Sequence, residues 1–327
     1  MASAQITIEA VDIPQTVGDS CQYKYCASEA TVNNGEAGGP HTWTFDTSAY
    51  AGYVLTTTIV DVTTSPFLDR FPGANLCTAE PRGQYTLYVY NSVQSLGFLE
   101  CGYGAWFGGS GKAWVNNPPA TNLPLPATLD ATWQTNFQVT DTTGADTVQV
   151  VVTDRRCTID AWGTAVTPSG SYPCLRENWV VGTVTTTYVS GTPVHVDTSI
   201  GRRYLWMAKA VGVVAMTHSM EGDTSLNFTQ ADDYMVMVLT SSGGVQETPN
   251  AEIRTTNPGA TILRGVLVLS ETKGAGRKAK GVLLDASGRT VLNLRPGAND
   301  LRSLAPGIYF YQVENDAALS RKVIKLD

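Results

Sequence analysis

Apolar and polar residues alternate along most of this chain, in runs too short for helices and with the two-residue period of a half-buried strand. Such runs fall at Ile6–Ile8, Tyr53–Val62, Tyr85–Tyr90, Thr147–Thr153, Trp179–Val189, Tyr204–Ala208, Val211–Thr217 and Tyr234–Leu239. Between them stand clusters that supply turns and positive φ, among them Asn33-Asn34-Gly35, Gly38-Gly39-Pro40 and Thr143-Gly144-Ala145-Asp146. Helical periodicity is nearly absent. The pattern predicts an all-β chain whose main part is a large antiparallel β-sandwich, jelly-roll or immunoglobulin-like.

Two stretches interrupt the alternation. Asn116-Asn117-Pro118-Pro119 through Leu123-Pro124-Leu125-Pro126 reads as a surface crossover, because each proline removes a ladder donor and excludes a central strand. Thr240-Ser241-Ser242-Gly243-Gly244-Val245-Gln246-Glu247-Thr248-Pro249 is polar and of low strand propensity, and a compositionally different tail follows. Two domains are predicted: a disulfide-bearing body over 1–245 and a small tail over 246–327.

Composition sharpens this picture. Only 16% of the 327 residues are charged, and no run approaches the roughly 20 apolar residues of a membrane span. The net charge of −7 conceals an acidic body and a basic tail: residues 250–327 hold 12 Lys and Arg against 7 Asp and Glu. An acidic body argues against nucleic acid as a partner. The six cysteines, Cys21, Cys26, Cys77, Cys101, Cys157 and Cys174, contain no C-x-x-C pair. They read as three disulfides and hence an oxidising compartment; of fifteen connectivities, the local set 21–26, 77–101 and 157–174 closes the shortest loops. Ala2-Ser3-Ala4 matches a signal-peptidase site, with Gln5 as the expected mature start.

The tail is a succession of strand and turn blocks. It opens at Asn257-Pro258, turns at Asp285-Ala286-Ser287-Gly288-Arg289, turns again at Pro306-Gly307 before Ile308-Tyr309, and closes on Arg321-Lys322-Val323-Ile324. In that order these blocks resemble the C-terminal sorting domain of the type IX secretion system, a small immunoglobulin-like β-sandwich on cargo of Bacteroidetes-type bacteria. The resemblance covers about 70 residues. It implies passage across the outer membrane by the type IX machinery, and an extracellular or outer-surface location. It implies nothing about the body's activity, since one address serves many cargoes. More loosely, Gly38–Phe45, Phe71–Asn75 and Gly170–Arg176 resemble uncharacterised β-sandwich modules that precede such tails.

A search of the body for chemistry yields no convincing catalytic set. The three histidines, His41, His195 and His218, lack metal-ligand spacing, and no cofactor is expected. His218-Ser219 with Glu221 lacks a nucleophile elbow. Gly108-Gly109-Ser110-Gly111-Lys112 lacks phosphate-loop spacing and reads as a hairpin tip. Asp141 with Asp146, and Asp232 with Asp233, are the near carboxylate pairs; adjacent strand residues point to opposite faces, so turn capping explains them better. Tyr103, Trp106, Phe107 and Trp114 flank the glycine loop and stand out as a candidate ligand or subunit contact. Asn227-Phe228-Thr229 is a glycosylation sequon. The expectation is therefore a non-enzymatic extracellular protein. It would be a filament, surface-layer or adhesive subunit that self-associates as a homo-oligomer or polymer through strand edges, or a module that binds or hydrolyses a surface glycan.

Overall fold

The computed structural model describes residues 6–26, 29–48, 51–107, 109–143 and 145–240, and, nearer the C-terminus, 261–263, 266–269, 281–285, 289–295, 297–301, 304–305, 307–313 and 320–325. The chain divides into two compact units, Met1–Val245 and Gln246–Asp327.

The larger unit holds β1 (Ser20–Cys26), β2 (Ala30–Thr31), β3 (Gly38–Thr44), β4 (Tyr53–Val60), β5 (Leu76–Arg82), β6 (Tyr85–Gln94) and β7 (Gly97–Phe107). It continues with β8 (Ser110–Pro124), β9 (Thr132–Thr142), β10 (Thr147–Thr167), β11 (Gly170–Val189), β12 (Thr192–Ala208), β13 (Gly212–Ser219) and β14 (Gln230–Thr240). From β4 to β14 each strand pairs antiparallel with the next, and β1 pairs with both β4 and β14. The sheet thus returns to its start. Twelve strands form a closed antiparallel barrel, which overturns the jelly-roll or immunoglobulin-like sandwich expected from the alternation. A sandwich and a barrel share the same in–out period. They differ in whether the first strand meets the last, and here Cys21–Cys26 lies against Tyr234–Thr240.

β9 shows the period clearly. Thr135, Phe137 and Val139 are buried toward the interior, while Gln134, Asn136, Gln138 and Thr140 are exposed. That is an apolar-in, polar-out wall, the reverse of a lipid-facing strand. Among the described residues no helix is long and apolar enough to cross a membrane.

One end of the barrel is closed by the N-terminal segment. Ile8 exchanges backbone hydrogen bonds with Ala127 at 3.1 and 2.8 Å. Ile8 and Ile13 pack with Ile59, Leu76, Val93, Leu123, Ile159, Leu175 and Met207. Those side chains come from β4, β5, β6, β8, β10, β11 and β12, so the cluster they share lies inside the ring. Two further layers coat the outside. β3 runs parallel to the Ala161–Val166 part of β10 and brings Trp43 and Phe45 onto Trp206. A Cβ on Gly163 would stand 2.1 Å from the His41 carbonyl oxygen, so only glycine admits β3 at that distance. Phe67 and Phe71 cover the outer faces of β5 to β8 together with Cys77, Tyr90 and Cys101.

The proline-rich segment is a second correction. Asn116 to Pro119 belong to β8, a strand in the middle of the wall. Register resolves the conflict: Gly102 faces Val115 while Glu100 faces Ala120, so both adjacent prolines sit in a bulge that requires no ladder donor. On its other side β8 has one register pair with β9, Asn117 with Gln138.

The disulfide set fails on distance, and no disulfide joins the six cysteines. Cys21 and Cys26 share the extended strand β1, roughly 16 Å apart at about 3.3 Å per residue. Cys157 faces Trp179, five residues along β11 from Cys174, a separation of the same size. β6 lies between the strands of Cys77 and Cys101. A disulfide needs Cα atoms within about 7 Å. Burial instead pushes the thiols of Cys21, Cys77, Cys101, Cys157 and Cys174 up, to about 11 for Cys77 and about 12 for Cys174. They pack as small apolar side chains, and the inference from disulfides to an oxidising compartment falls with the bridges.

The smaller unit contains β15 (Thr261–Leu263), β16 (Val266–Leu269), β17 (Gly281–Leu284), β18 (Thr290–Leu294), β19 (Gly297–Asp300), β20 (Gly307–Val313) and β21 (Ser320–Lys325). β15-β21-β20-β17-β18 form one sheet and β16-β19 another. Among the described residues Leu283, Leu294, Leu301 and Tyr309 form a buried cluster, and the Tyr309 hydroxyl donates to the Ala305 carbonyl at 2.8 Å. The Asp285 carboxylate accepts from the Arg289 backbone N–H and from its guanidinium, both at 3.0 Å, which ties the ends of that turn together. Arg321 and Lys322 lie in β21 opposite Tyr311 and Phe310, and Gly307 starts β20. Asn257, Pro258, Gly288 and Pro306 lie outside the described residues.

Candidate ligand site inside the barrel

The ring of strands aims charged side chains into its own interior. Arg155 on β10 donates to Asn122 Oδ1 at 3.0 Å and approaches Glu100 at 3.8 Å, reaching across to β8 and β7. Its guanidinium lies 4.7 Å from the Phe137 ring and 5.1 Å from Trp179, so an aromatic clamp from β9 and β11 fixes it. Glu177, on β11, is fully buried. Trp179 Nε1 donates to one of its oxygens at 3.0 Å and the other has no partner. Burial pushes this carboxyl up to about 8, which leaves it protonated at neutral pH. Arg203, likewise inside, has an unpartnered Nε, and burial together with the Arg155 charge holds its pKa below the ordinary value.

Below this layer, toward the N-terminal plug, lies a cavity of ≈ 300 Å³. Its walls are mostly apolar: Ile13, Ile59, Leu76, Val89, Phe98, Met207 and Val213. Glu80, Glu100, Asn91, Asn122 and the Tyr23 hydroxyl supply polar atoms. The Glu80 and Glu100 carboxylates are already anchored. Glu80 accepts from Thr57 at 3.1 Å and from Arg82 at 2.8 Å, and Glu100 accepts from Asn116 at 3.2 Å and Asn122 at 3.4 Å. Fixed acceptors in an apolar wall suit a small molecule with an apolar body and one or two N–H or O–H donors.

The four aromatic residues singled out from the sequence divide between the two faces of the β7–β8 hairpin. Tyr103 and Trp114 face each other across the strands with rings stacked 5.2 Å apart, and Phe107 lies 5.1 Å from Tyr85. Trp106 points to the opposite face and packs on Phe67 at 5.8 Å. Lys112 spans the Trp114 ring at 5.4 Å and forms an ion pair with Asp141. Burial would raise the Asp141 carboxyl, but Lys112 and Trp114 hold it below its usual range. Asp141 is therefore committed to a structural pair. The chain reverses from Phe107 to Ser110 as a hairpin, as read from the glycine loop.

Asp232 and Asp233 do not point apart. A bulge at His218/Ser219 turns both toward His218, whose Nδ1 lies 3.4 Å from Asp232 and 3.9 Å from Asp233. Ligand atoms of these three residues lie within 4.8 Å of one another, a convergence that sequence spacing did not suggest. Asp233 also accepts from the Tyr25 hydroxyl. The His218 hydrogen bond first, then Tyr25 and the Arg203 charge, hold its carboxyl low against burial. With Arg203 already balancing the charge, the cluster is an ion-pair network. Ser219 accepts from the Arg202 N–H at 2.9 Å and bonds the Asp223 carbonyl, which makes it a turn residue. Asn227 is exposed before β14.

No family model and no curated protein matches the sequence. Among solved structures, a candidate lipoprotein of Parabacteroides distasonis aligns with 72% of this chain and 100% of its own length, at 15% identity and a TM-score of 0.30. A candidate exported protein with a YmcC-like fold from Bacteroides fragilis aligns with 73% of this chain and 100% of its own, at 9% identity and a TM-score of 0.27. Likenesses this remote assign the chain neither a function nor a fold beyond what its own strand pairing shows.

Proposed function

We propose that this chain is an exported β-barrel protein that binds a small, mostly apolar molecule in its interior, with residues 246–327 acting as a type IX secretion address. The observation that carries the binding reading is the ≈ 300 Å³ apolar cavity with Glu80, Glu100 and Asn122 in its wall. Twelve strands enclose more space than side chains readily fill, and here the chain spends its own N-terminus and a layer of buried arginines on filling it. What remains is a pocket at the small end of the range for ligand sites.

The test is a thermal-shift and native-mass screen of compact apolar amines and alcohols against the full chain. A true ligand at a hundredfold its Kd should stabilise the barrel by about 2.7 kcal/mol. Val213→Trp, which fills the cavity, should abolish that shift. A screen without hits, or equal binding by the filled variant, refutes the reading.

The export half rests on the tail motifs and on the Asp285–Arg289 turn and Tyr309 core that present them. In cells with type IX machinery the full chain should reach the outer surface, and Arg321→Glu with Lys322→Glu should hold it in the periplasm. Surface delivery of that variant would sever the motif from the address. Glycan binding has its own observation in the stacked Tyr103–Trp114 pair, and Trp114→Ala should then abolish retention on a glycan array.

A further inference from the structure

We propose that the outer edge of β12 is a self-association surface, which takes a second copy of this chain by antiparallel strand addition about a two-fold axis at Val196.

β12 pairs with β11 over its whole length, but β13 covers its other edge only from Arg203 to Ala208. Gly222 donates to the Ile200 carbonyl, and among the described residues no strand pairs with that edge between Thr192 and Ser199. All residues from Thr192 to Ile200 are exposed. Backbone donors and acceptors on such an edge are a template for another strand. The usual protections gather at the tip, where Pro193 stands next to a bulge that leaves Val194 as the extra residue between Pro193 and His195, and Asp197 is the one acidic residue along the edge.

The side chains on the outward face are apolar where a solvated arm would be polar. Val196 and Ile200 share that face of β12 and Val194 lies at the bulge before them, Val184 faces Thr198 from β11, and Val152 faces Val184 from β10. These five are each 41–58% exposed. They form one patch across three strands.

Register and charge choose the partner. Residues opposite one another in an antiparallel pair share a face, so a two-fold axis must pass through a residue, and the candidates near the middle of the edge are His195, Val196 and Asp197. An axis at His195 sets the imidazoles opposite each other, and an axis at Asp197 sets two carboxylates opposite each other. An axis at Val196 sets His195 of each copy opposite Asp197 of the other, a complementary pair formed twice. The same register places Val196 against Val196 and Val194 against Thr198, so the apolar patch continues from one copy into the next. The edge is self-complementary in one register, and a second copy fits it.

Disulfide trapping in the full chain reads the register directly. Val196→Cys should form a covalent dimer under mild oxidation at least about tenfold faster than the exposed control Leu226→Cys, because paired Cβ atoms lie about 5 Å apart. Val194→Cys should not cross-link alone, yet should cross-link when mixed with Thr198→Cys. In sedimentation the native protein should show a concentration-dependent dimer. Val196→Asp, which sets like charges face to face, should weaken that dimer at least about tenfold with the urea midpoint unchanged. A monomer at every concentration, trapping no faster than the control, or a dimer that Val196→Asp leaves intact would each overturn the proposal.

Discussion

Replacing Glu177 by glutamine removes one ionisable group from the barrel interior and changes almost no volume. Glu177 has a folded-state pKa of about 8 against an ordinary value of 4.5, and the cause is burial, opposed by the single hydrogen bond from Trp179. A carboxyl that holds its proton more tightly when folded gives full stability below its unfolded pKa. That stability declines as pH rises, until both states are ionised near pH 8. Between those limits one group contributes a slope of up to about 1.4 kcal/mol per pH unit, for a total on the order of 5 kcal/mol as an upper bound. Glutamine keeps an acceptor for Trp179 and cannot ionise. The variant should come within about 1 kcal/mol of the parent at pH 5 and exceed it by about 2–4 kcal/mol at pH 8. The assay is urea unfolding at pH 5, 6, 7 and 8, followed by tryptophan fluorescence. All seven tryptophans lie before Val245, so the signal reports the barrel alone. Subtracting parent from variant cancels the three histidines. The carboxylates held low, Asp141, Asp223 and Asp233, change stability only on the acid side of this window. Parallel stability curves for the two proteins, or a glutamine variant that is weaker at pH 8, would refute the protonated interior carboxyl.

Two further outcomes follow from the packing. Gly163→Ala puts a methyl 2.1 Å from the His41 carbonyl and should cost about 2–4 kcal/mol by lifting β3 off β10, measured as a lower urea midpoint; a loss under 0.5 kcal/mol would mean that β3 is not held there. Reduction should leave the intact mass of the purified protein unchanged, because the strand geometry forbids the local cysteine pairs; a gain of six hydrogens would restore the three bridges.

The strand content of this chain is legible in its alternation, and the closure of the sheet is not. Each strand from β4 to β14 neighbours the next in sequence, so local turn chemistry suggests a meander. The pairing that makes a meander a barrel joins Cys26 to Tyr234, and no local signal carries it. Curvature depends on bulges, and a bulge is one extra residue in a ladder whose partner strand must be known first. That one cause explains two misreadings. Pro118 and Pro119 look incompatible with a central strand until the β7 register places them opposite an interruption. Asp232 and Asp233 look opposed until the shift beside His218 turns them to one side.

The candidate site was hidden for a related reason. Arg155 and Glu177 occupy inward positions of strands that otherwise read apolar, in Val151-Val152-Thr153-Asp154-Arg155 and Leu175-Arg176-Glu177-Asn178-Trp179. Within one strand a charge at such a position looks like a phase error or a surface residue. Its meaning appears only when the ring closes and the interior proves too wide for aliphatic side chains alone. Arg155 then bridges three strand spacings to Glu100, a contact with no counterpart in a thin sandwich core. These charges shape the cavity, since Glu100 both anchors Arg155 and lines the pocket beneath it. A chain that needed only a packed core could place leucine at those positions, so the buried ionisable layer is the feature most in need of a ligand to explain it.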